Sequence, residues 1–133
     1  MADLFSEAWM KAYQEQWNNE PEVSNALANI AFSSIIAYGF IDDKDPKGIL
    51  VVEKGSCVAS GIYDGETTNW DFRASEENWA KWSKEPLNIS SFGMAYTARK
   101  LKCKVGDFPA MIKDPRLVMP FIKAFSLMSH VNV

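Results

Sequence analysis

Few residues in this sequence are of the types that carry out acid–base, redox or metal chemistry. The chain of 133 residues has one histidine, His130, close to its end, where no flanking structure would hold an imidazole in place for catalysis. Cys57 and Cys103 are far apart in sequence and form no redox or zinc-binding motif, so we expect two reduced, buried cysteines. A zinc site would need further carboxylates from scattered loops.

The carboxylates show no catalytic or metal-binding spacing either. Glu76 and Glu77 would be neighbours on a helix and would point about 100° apart, so they do not form a carboxylate pair. Asp42, Asp43 and Asp45 lack the spacing and length of an EF-hand loop, which predicts a solvated turn. Phosphate-binding glycine loops, dinucleotide fingerprints and GxSxG elbows are also missing. The sequence therefore predicts a protein that is not an enzyme and binds no metal or cofactor.

The composition supplies apolar side chains and an uneven distribution of charge. Hydrophobic residues make up 47% of the chain, with five Trp, eight Phe and four Tyr, which predicts one domain over residues 1–133 with a large core or a lined cavity. Residues 1–66 have 11 acidic and 4 basic side chains, whereas residues 67–133 have 6 and 10. The basic half could contact acidic headgroups or an acidic partner, and the acidic half disfavours nucleic-acid binding. If the two halves interleave in space, this asymmetry has no role.

An amphipathic helix is predicted at the start of the chain, with Asp3 as its N-cap and Pro21 at its end. No basic region of a signal peptide precedes it. Residues 23–41 carry no charge but are too polar for a membrane span, so we predict a loop and a short helical turn leading into a buried strand near 35–41.

Three strands are predicted in the middle of the chain, over 48–53, 56–63 and 67–74. Lys54-Gly55 and Asp64-Gly65 are turn signals between them, which predicts an antiparallel meander. In the third strand, the residues alternate between an apolar and a polar face, which predicts one wet side. The apolar face would carry Trp70, Phe72 and Ala74, and the wet face Asn69, Asp71 and Arg73.

Helices dominate the remainder of the predicted structure. Ser75 is a predicted N-cap, and a further strand over 100–105 would expose Lys100, Lys102 and Lys104. Asp107 is predicted to cap a short turn, and Asp114-Pro115 to start the last helix. Pro120 would either kink that helix or mark its true beginning. In both cases the final apolar segment would have the shape of a separately hinged lid.

The order of these elements resembles the sterol carrier protein 2 (SCP2) domain family over about residues 48–107. A strand, an acidic-capped helix and a short second helix lead into Lys100-Leu101-Lys102, followed by Gly106-Asp107, similar to the family's K-L-K and G-D motif. Arg99 stands where the family usually has a glycine, a residue suited to positive φ. The resemblance implies an α+β fold, with a mostly antiparallel sheet of about five strands and helices covering one face.

The resemblance also implies a lipid-binding protein that catalyses nothing by itself. The ligand would be a fatty acid, a fatty acyl-CoA or a sterol-like molecule in an apolar tunnel between sheet and helices. The predicted lipid-binding residues are Trp70, Phe72, Leu101 and Cys103 of the sheet and Trp79, Trp82, Phe92, Met94, Met111, Met119, Phe121, Ile122, Phe125 and Met128 of the helices. From the residues alone, the same side chains fit a plain core, and sequence does not separate the two.

Two further expectations concern partners and location. The fold could instead serve as an accessory subunit that docks on an enzyme or pairs with a second copy, and a transient contact with a membrane surface is also open. Because the Ser-Lys-Leu type signal of peroxisomal family members is missing, the sequence favours a cytoplasmic location.

Overall fold

Five strands form one mixed sheet in the order β3-β2-β1-β4-β5. A computed structural model describes residues 3–131 of the chain. Its elements are α1 (Glu7–Asn19), α2 (Pro21–Ala28), β1 (Ser34–Phe40), β2 (Gly48–Glu53), β3 (Ser56–Ile62), β4 (Trp70–Ala74), α3 (Glu76–Lys84), α4 (Ile89–Thr97), β5 (Leu101–Val105), α5 (Phe108–Lys113), α6 (Pro115–Ser126) and a 3₁₀ helix, η1 (Leu127–His130). The predicted α+β class and the five-stranded, mostly antiparallel sheet are confirmed.

The predicted meander of the three middle strands is wrong in its third member. β4 does not pair with β3 but crosses to the other side of β1, to which it is parallel, with Ile36 opposite Trp70. Asn69 fixes this pairing at the start of β4, because its backbone N–H donates to the Ile35 carbonyl and its Oδ1 accepts from the Ile35 N–H, both at 2.8 Å. The turn at Asp64-Gly65 therefore lies in the longer connection between β3 and β4 and does not form a hairpin.

The predicted wet face of β4 is wrong for Asp71 and Arg73, whereas Asn69, just before the strand, is exposed. The Asp71 and Arg73 side chains are buried, and the Arg73 guanidinium donates to both Asp71 carboxylate oxygens at 2.7 and 3.0 Å. The same guanidinium donates to the carbonyl of Phe40, the last residue of β1, and to those of Asp43 and Lys44 in the loop that follows. The alternation of polar and apolar residues in β4 therefore does not mark a solvent-exposed face. The polar face is buried, and its charged groups are hydrogen-bonded to each other and to backbone carbonyls.

The N-terminal region differs from the prediction at the start of α1 and in the presence of a second helix. Ser6, and not Asp3, is the N-cap of α1, where its Oγ accepts from the Trp9 N–H at 3.3 Å. Pro21 does end α1, but it also occupies the first position of α2, a position that tolerates proline because no N–H is needed there. Residues 21–28 are thus a helix rather than a loop and turn. None of the helices within residues 3–131 is long and apolar enough to cross a membrane.

Local capping predictions in the second half are confirmed. The side chains of Ser75, Asp107 and Asp114 accept hydrogen bonds at the starts of α3, α5 and α6. Arg99 has φ of 61°, so the connector does use the left-handed conformation that a glycine would adopt at lower cost. Pro120 lies inside α6, which begins at Pro115, so this proline is not the start of the helix.

Candidate functional site

The space between the sheet and α6 is filled by aromatic rings. Phe125 of α6 packs edge-on against Phe72 and Tyr38 at centroid separations of 5.2 and 6.2 Å. Phe121 packs edge-on against Trp70 at 5.2 Å. The gap that remains has an empty volume of about 170 Å³ and is too narrow to hold a water molecule. We call it the internal gap, and it is lined by Trp17, Ile36, Tyr38, Phe72, Phe121, Ala124 and Phe125.

A much larger space lies on the other side of α6. It is a solvent-open groove of about 920 Å³ between α2, the connector that leads into α4, and α6, and we call it the α2–α6 groove. Its apolar wall includes Ala26, Ile30, Leu87, Ile89, Met119 and Ile122. Its polar lining includes Glu22, Asn29, Asn88, Arg116, Lys123 and Ser126. Because Ile89 and Met119 are more than half exposed, the groove leaves apolar surface in water that a ligand could cover.

Two cations line the groove, and each has a carboxylate neighbour. The Lys123 ammonium lies 3.4 Å from Glu22 and 3.8 Å from Glu20. Arg116 pairs with Asp114 at 3.2 Å, and this hydrogen bond lowers the pKa of the Asp114 carboxyl. Solvent-exposed ion pairs of this kind are weak, so an anionic headgroup could replace a carboxylate partner at little cost.

Pro120 gives α6 an unusual feature at the groove. Proline has no N–H, so the carbonyl of Arg116, one helical turn earlier, lacks its usual intrahelical donor. Both residues line the groove. This side of α6 therefore combines a weakened backbone with apolar contact surface.

The structure distributes the predicted lipid-binding residues among several places. The buried members are Trp70, Phe72, Trp79, Trp82, Phe92, Leu101, Met111, Phe121, Ile122, Phe125 and Met128. Cys103 is half-buried, and Met94 and Met119 are exposed. Phe72, Phe121 and Phe125 come together around the internal gap, whereas Met119 and Ile122 are the members that line the α2–α6 groove. The other members lie elsewhere in the core or on the surface.

The opposite wall of the groove was missed by the sequence reasoning. Ala26, Asn29 and Ile30 line it, and they belong to α2 or follow it directly. The available signal was an uncharged stretch with apolar residues at Val23 and Leu27, which are buried and hold this helix against the core. Because that stretch was predicted to be a loop and a short helical turn, this wall was left out of the predicted site.

The described residues include few reactive groups at neutral pH. Burial raises the pKa of the Cys57 thiol to about 12 and that of the Cys103 thiol to about 12. Burial also raises the pKa of Tyr13 well above its ordinary value, and its hydroxyl donates to the Ala124 carbonyl at 2.6 Å. Within residues 3–131, no three His, Cys, Asp or Glu side chains are grouped to hold a metal ion.

The sheet and its covering helices define an α+β fold. The chain has the sterol carrier protein 2 fold. It is similar over 98% of its length to all of a crystal structure of sterol carrier protein 2, with a TM-score of 0.76 and 20% identity. It is also similar to a solution structure from Thermus thermophilus described as possibly a sterol carrier protein, which shares 19% identity, with 96% of this chain and 90% of that one covered and a TM-score of 0.67.

A third structure with this fold is a ubiquinone synthesis protein, UbiJ-SCP2. It shares 10% identity with this chain, with 93% of this chain and 90% of that one covered and a TM-score of 0.59. No protein-family model and no curated protein matches the sequence. The predicted resemblance is thus confirmed for the fold.

Proposed function

We propose that this protein is a non-catalytic carrier of a hydrophobic lipid, which binds in the α2–α6 groove. The groove carries the proposal, since its volume of about 920 Å³ is in the range of small-molecule sites and its wall is largely apolar. One of the similar structures is sterol carrier protein 2 and another is described as possibly a sterol carrier protein, which supports the same class of ligand. A fatty acid, a fatty acyl-CoA or a sterol-like molecule fits this chemistry, and the carrier would work in the cytoplasm without a cofactor.

The internal gap has a place in the same proposal. Helix α6 separates the gap, lined by Phe121 and Phe125, from the groove, lined by Met119 and Ile122. A small outward movement of α6, eased at Pro120, would join the two spaces and create the predicted tunnel between sheet and helices. Each CH₂ group that leaves water contributes about 0.8 kcal/mol, which would offset the cost of separating rings already in contact.

Native mass spectrometry of protein purified without detergent, followed by lipid extraction, tests this function. We expect a co-purified lipid at about one per chain, and uptake of a fluorescent fatty acid by the delipidated protein. Met119→Glu should weaken uptake at least about tenfold, because it places a charge against the acyl chain. Val58→Glu is the matched control, since Val58 is exposed to a similar degree on β3 and does not line the groove.

Two results would contradict the carrier proposal. One is a clean mass with no uptake by the wild-type protein. The other is an equal loss of uptake in both variants, because that would show a general effect of added charge and not a groove site.

An accessory role is a second candidate, favoured by the likeness to the UbiJ-SCP2 ubiquinone synthesis protein and by the filled interior. In that case a partner enzyme or a second copy would cover the exposed Ile89 and Met119. Sedimentation velocity over a range of concentrations separates the two functions. A concentration-dependent size that is abolished by Met119→Glu, together with no lipid uptake, would favour the accessory role.

A further inference from the structure

Helix α4 presents an uncharged face to solvent. Its nine residues contain no charged side chain, and its buried side, including Phe92 and Ala95, fixes it to the core. On its outer side, Met94 is 67% exposed. Ile89, in the first turn and about 140° further round the helix, is 51% exposed beside the α2–α6 groove. The solvent side of a surface helix is normally charged or strongly polar, so this face is unusual.

Basic side chains surround Met94. One hollow, between α3 and α4, is lined by Met94, Lys81 and Lys100. A second hollow, between α4 and α5, is lined by Met94 and Lys113. Arg99 lies two residues after the end of α4 and is exposed, as are the three lysines.

These four basic residues carry an excess of positive charge. Among residues 3–131, the ion pairs closer than 4.0 Å involve other cations, namely Arg73, Arg116 and Lys123. Glu85 is the one acidic residue among those that line the two hollows. The face therefore has an exposed apolar centre, Met94, flanked by basic residues that outnumber the one acidic residue beside them.

We propose that this α4 face docks on the surface of an anionic phospholipid membrane. An apolar side chain can enter the level of the headgroups while nearby lysines and arginines attract lipid phosphates, and two such signals together give stable but reversible attachment. Methionine is flexible, and a fluid lipid surface requires no fixed shape from it.

The observations favour a membrane over nucleic acid. Single-stranded nucleic acid is held by bases stacked on exposed aromatic rings. Tyr96, the aromatic residue on the outer part of α4, is already stacked on Phe108 at 3.9 Å.

The docking face adjoins the proposed lipid site. Ile89, at the start of α4, lines the α2–α6 groove, so a protein docked through α4 would hold the groove next to the membrane. This consequence rests on the proposed carrier function. The docking itself does not, because it depends only on the charge and exposure of the α4 face.

Co-sedimentation with vesicles tests the proposal. We expect the full chain to bind vesicles that contain phosphatidylserine in phosphatidylcholine, with affinity that falls as salt rises, and to bind pure phosphatidylcholine weakly. The triple change K81Q/K100Q/K113Q should lower the affinity for anionic vesicles about tenfold or more, and Met94→Gln should lower it severalfold. The control K44Q/K47Q/K54Q removes the same number of charges from exposed lysines outside this face, and its affinity should change less than about twofold.

The proposal would be overturned by no binding to either vesicle, by an equal loss of vesicle affinity in both triple variants, or by binding that is independent of phosphatidylserine. Binding of poly-glutamate without vesicle binding would also overturn it, and would indicate an acidic protein partner. Fluorescent fatty-acid uptake, measured in the same variants without vesicles, keeps the two proposals separate. Unchanged uptake with lost vesicle binding supports the docking face, and lost uptake with intact vesicle binding counts only against the groove.

Discussion

The side chain of Asn18 on α1 bonds to both backbone groups of Cys57 on β3. Its Oδ1 accepts from the Cys57 N–H at 2.8 Å, and its Nδ2 donates to the Cys57 carbonyl at 2.9 Å. Gln14 donates to the same carbonyl at 3.0 Å. Because β3 is an edge strand, these groups would otherwise be free to pair with a strand of another molecule. Helix α1 thus closes one edge of the sheet with side chains.

Replacing Asn18 by alanine should destabilise the protein and expose that edge. Loss of two hydrogen bonds at a partly exposed site should lower the free energy of unfolding by about 1–2 kcal/mol in urea titrations. The adjacent Asn19→Ala is the control, since Asn19 is also exposed at the end of the same helix. Equal effects of the two substitutions would mean that helix propensity, and not edge closure, sets the cost.

Local chemistry made several elements predictable from the sequence. Ser75, Asp107 and Asp114 cap helices because a short oxygen-bearing side chain can reach an unpaired N–H within its own turn, and this depends on neighbours in the chain alone. The parallel pairing of β1 with β4 was not predictable in this way. It depends on Asn69 reaching Ile35, a contact between residues far apart in sequence.

The candidate site was predictable only in part for the same reason. Met119 and Ile122 were found because they belong to the apolar pattern of the last helix. Ala26 and Ile30 were missed, because a short helix such as α2 has too little periodicity to be distinguished from a loop. Whether apolar side chains fill an interior or line a cavity is decided by packing, which a sequence pattern does not contain.

Replacing Arg73 by leucine should be the most damaging single change outside the aromatic core. It would leave the buried Asp71 carboxylate unpaired and would remove the side-chain donor to the Asp43 and Lys44 carbonyls, at a cost of about 3–5 kcal/mol in the free energy of unfolding. The double variant Asp71→Leu/Arg73→Leu should recover part of this loss, because no lone charge remains. A double variant no more stable than the single one would show that the lost loop contacts, and not the unpaired carboxylate, set the cost.

Replacing Arg99 by glycine should stabilise the fold. Arg99 has φ of 61°, a conformation that costs about 1–2 kcal/mol for a residue with a Cβ, and glycine would recover part of this after its greater chain entropy is counted. We expect a gain of about 0.5–1 kcal/mol in urea unfolding. Arg99→Ala is the matched control, since it removes the same side chain but keeps the Cβ. A gain of the same size in the alanine variant would assign the effect to charge and not to φ.

Stability should fall at alkaline pH. Burial raises the pKa values of Cys57 and Cys103 from 9.0 to about 12, and raises those of Tyr13 and Tyr38 as well. Since these groups lose protons more readily when unfolded, their contribution is fully present below pH 9 and is lost as pH rises from about 9 towards 12. Urea unfolding at several pH values measures this. Cys57→Ala/Cys103→Ala should show a shallower decline, and an unchanged slope would assign the decline to the tyrosines alone.

Filling the groove should block long ligands without harming the fold. Ala26 is half-buried on α2 and lines the groove, so Ala26→Trp would occupy its apolar wall from the side opposite Met119. We expect at least about a tenfold loss in affinity for a long-chain fluorescent fatty acid, measured by fluorescence titration, with a smaller loss for a short-chain analogue that needs less of the groove. Asn25→Trp is the control, because Asn25 is the neighbouring exposed residue of α2 and lies outside the groove. If both variants bind the long chain as the wild-type protein does, the acyl chain does not lie along α2 and the internal gap behind α6 becomes the site to test.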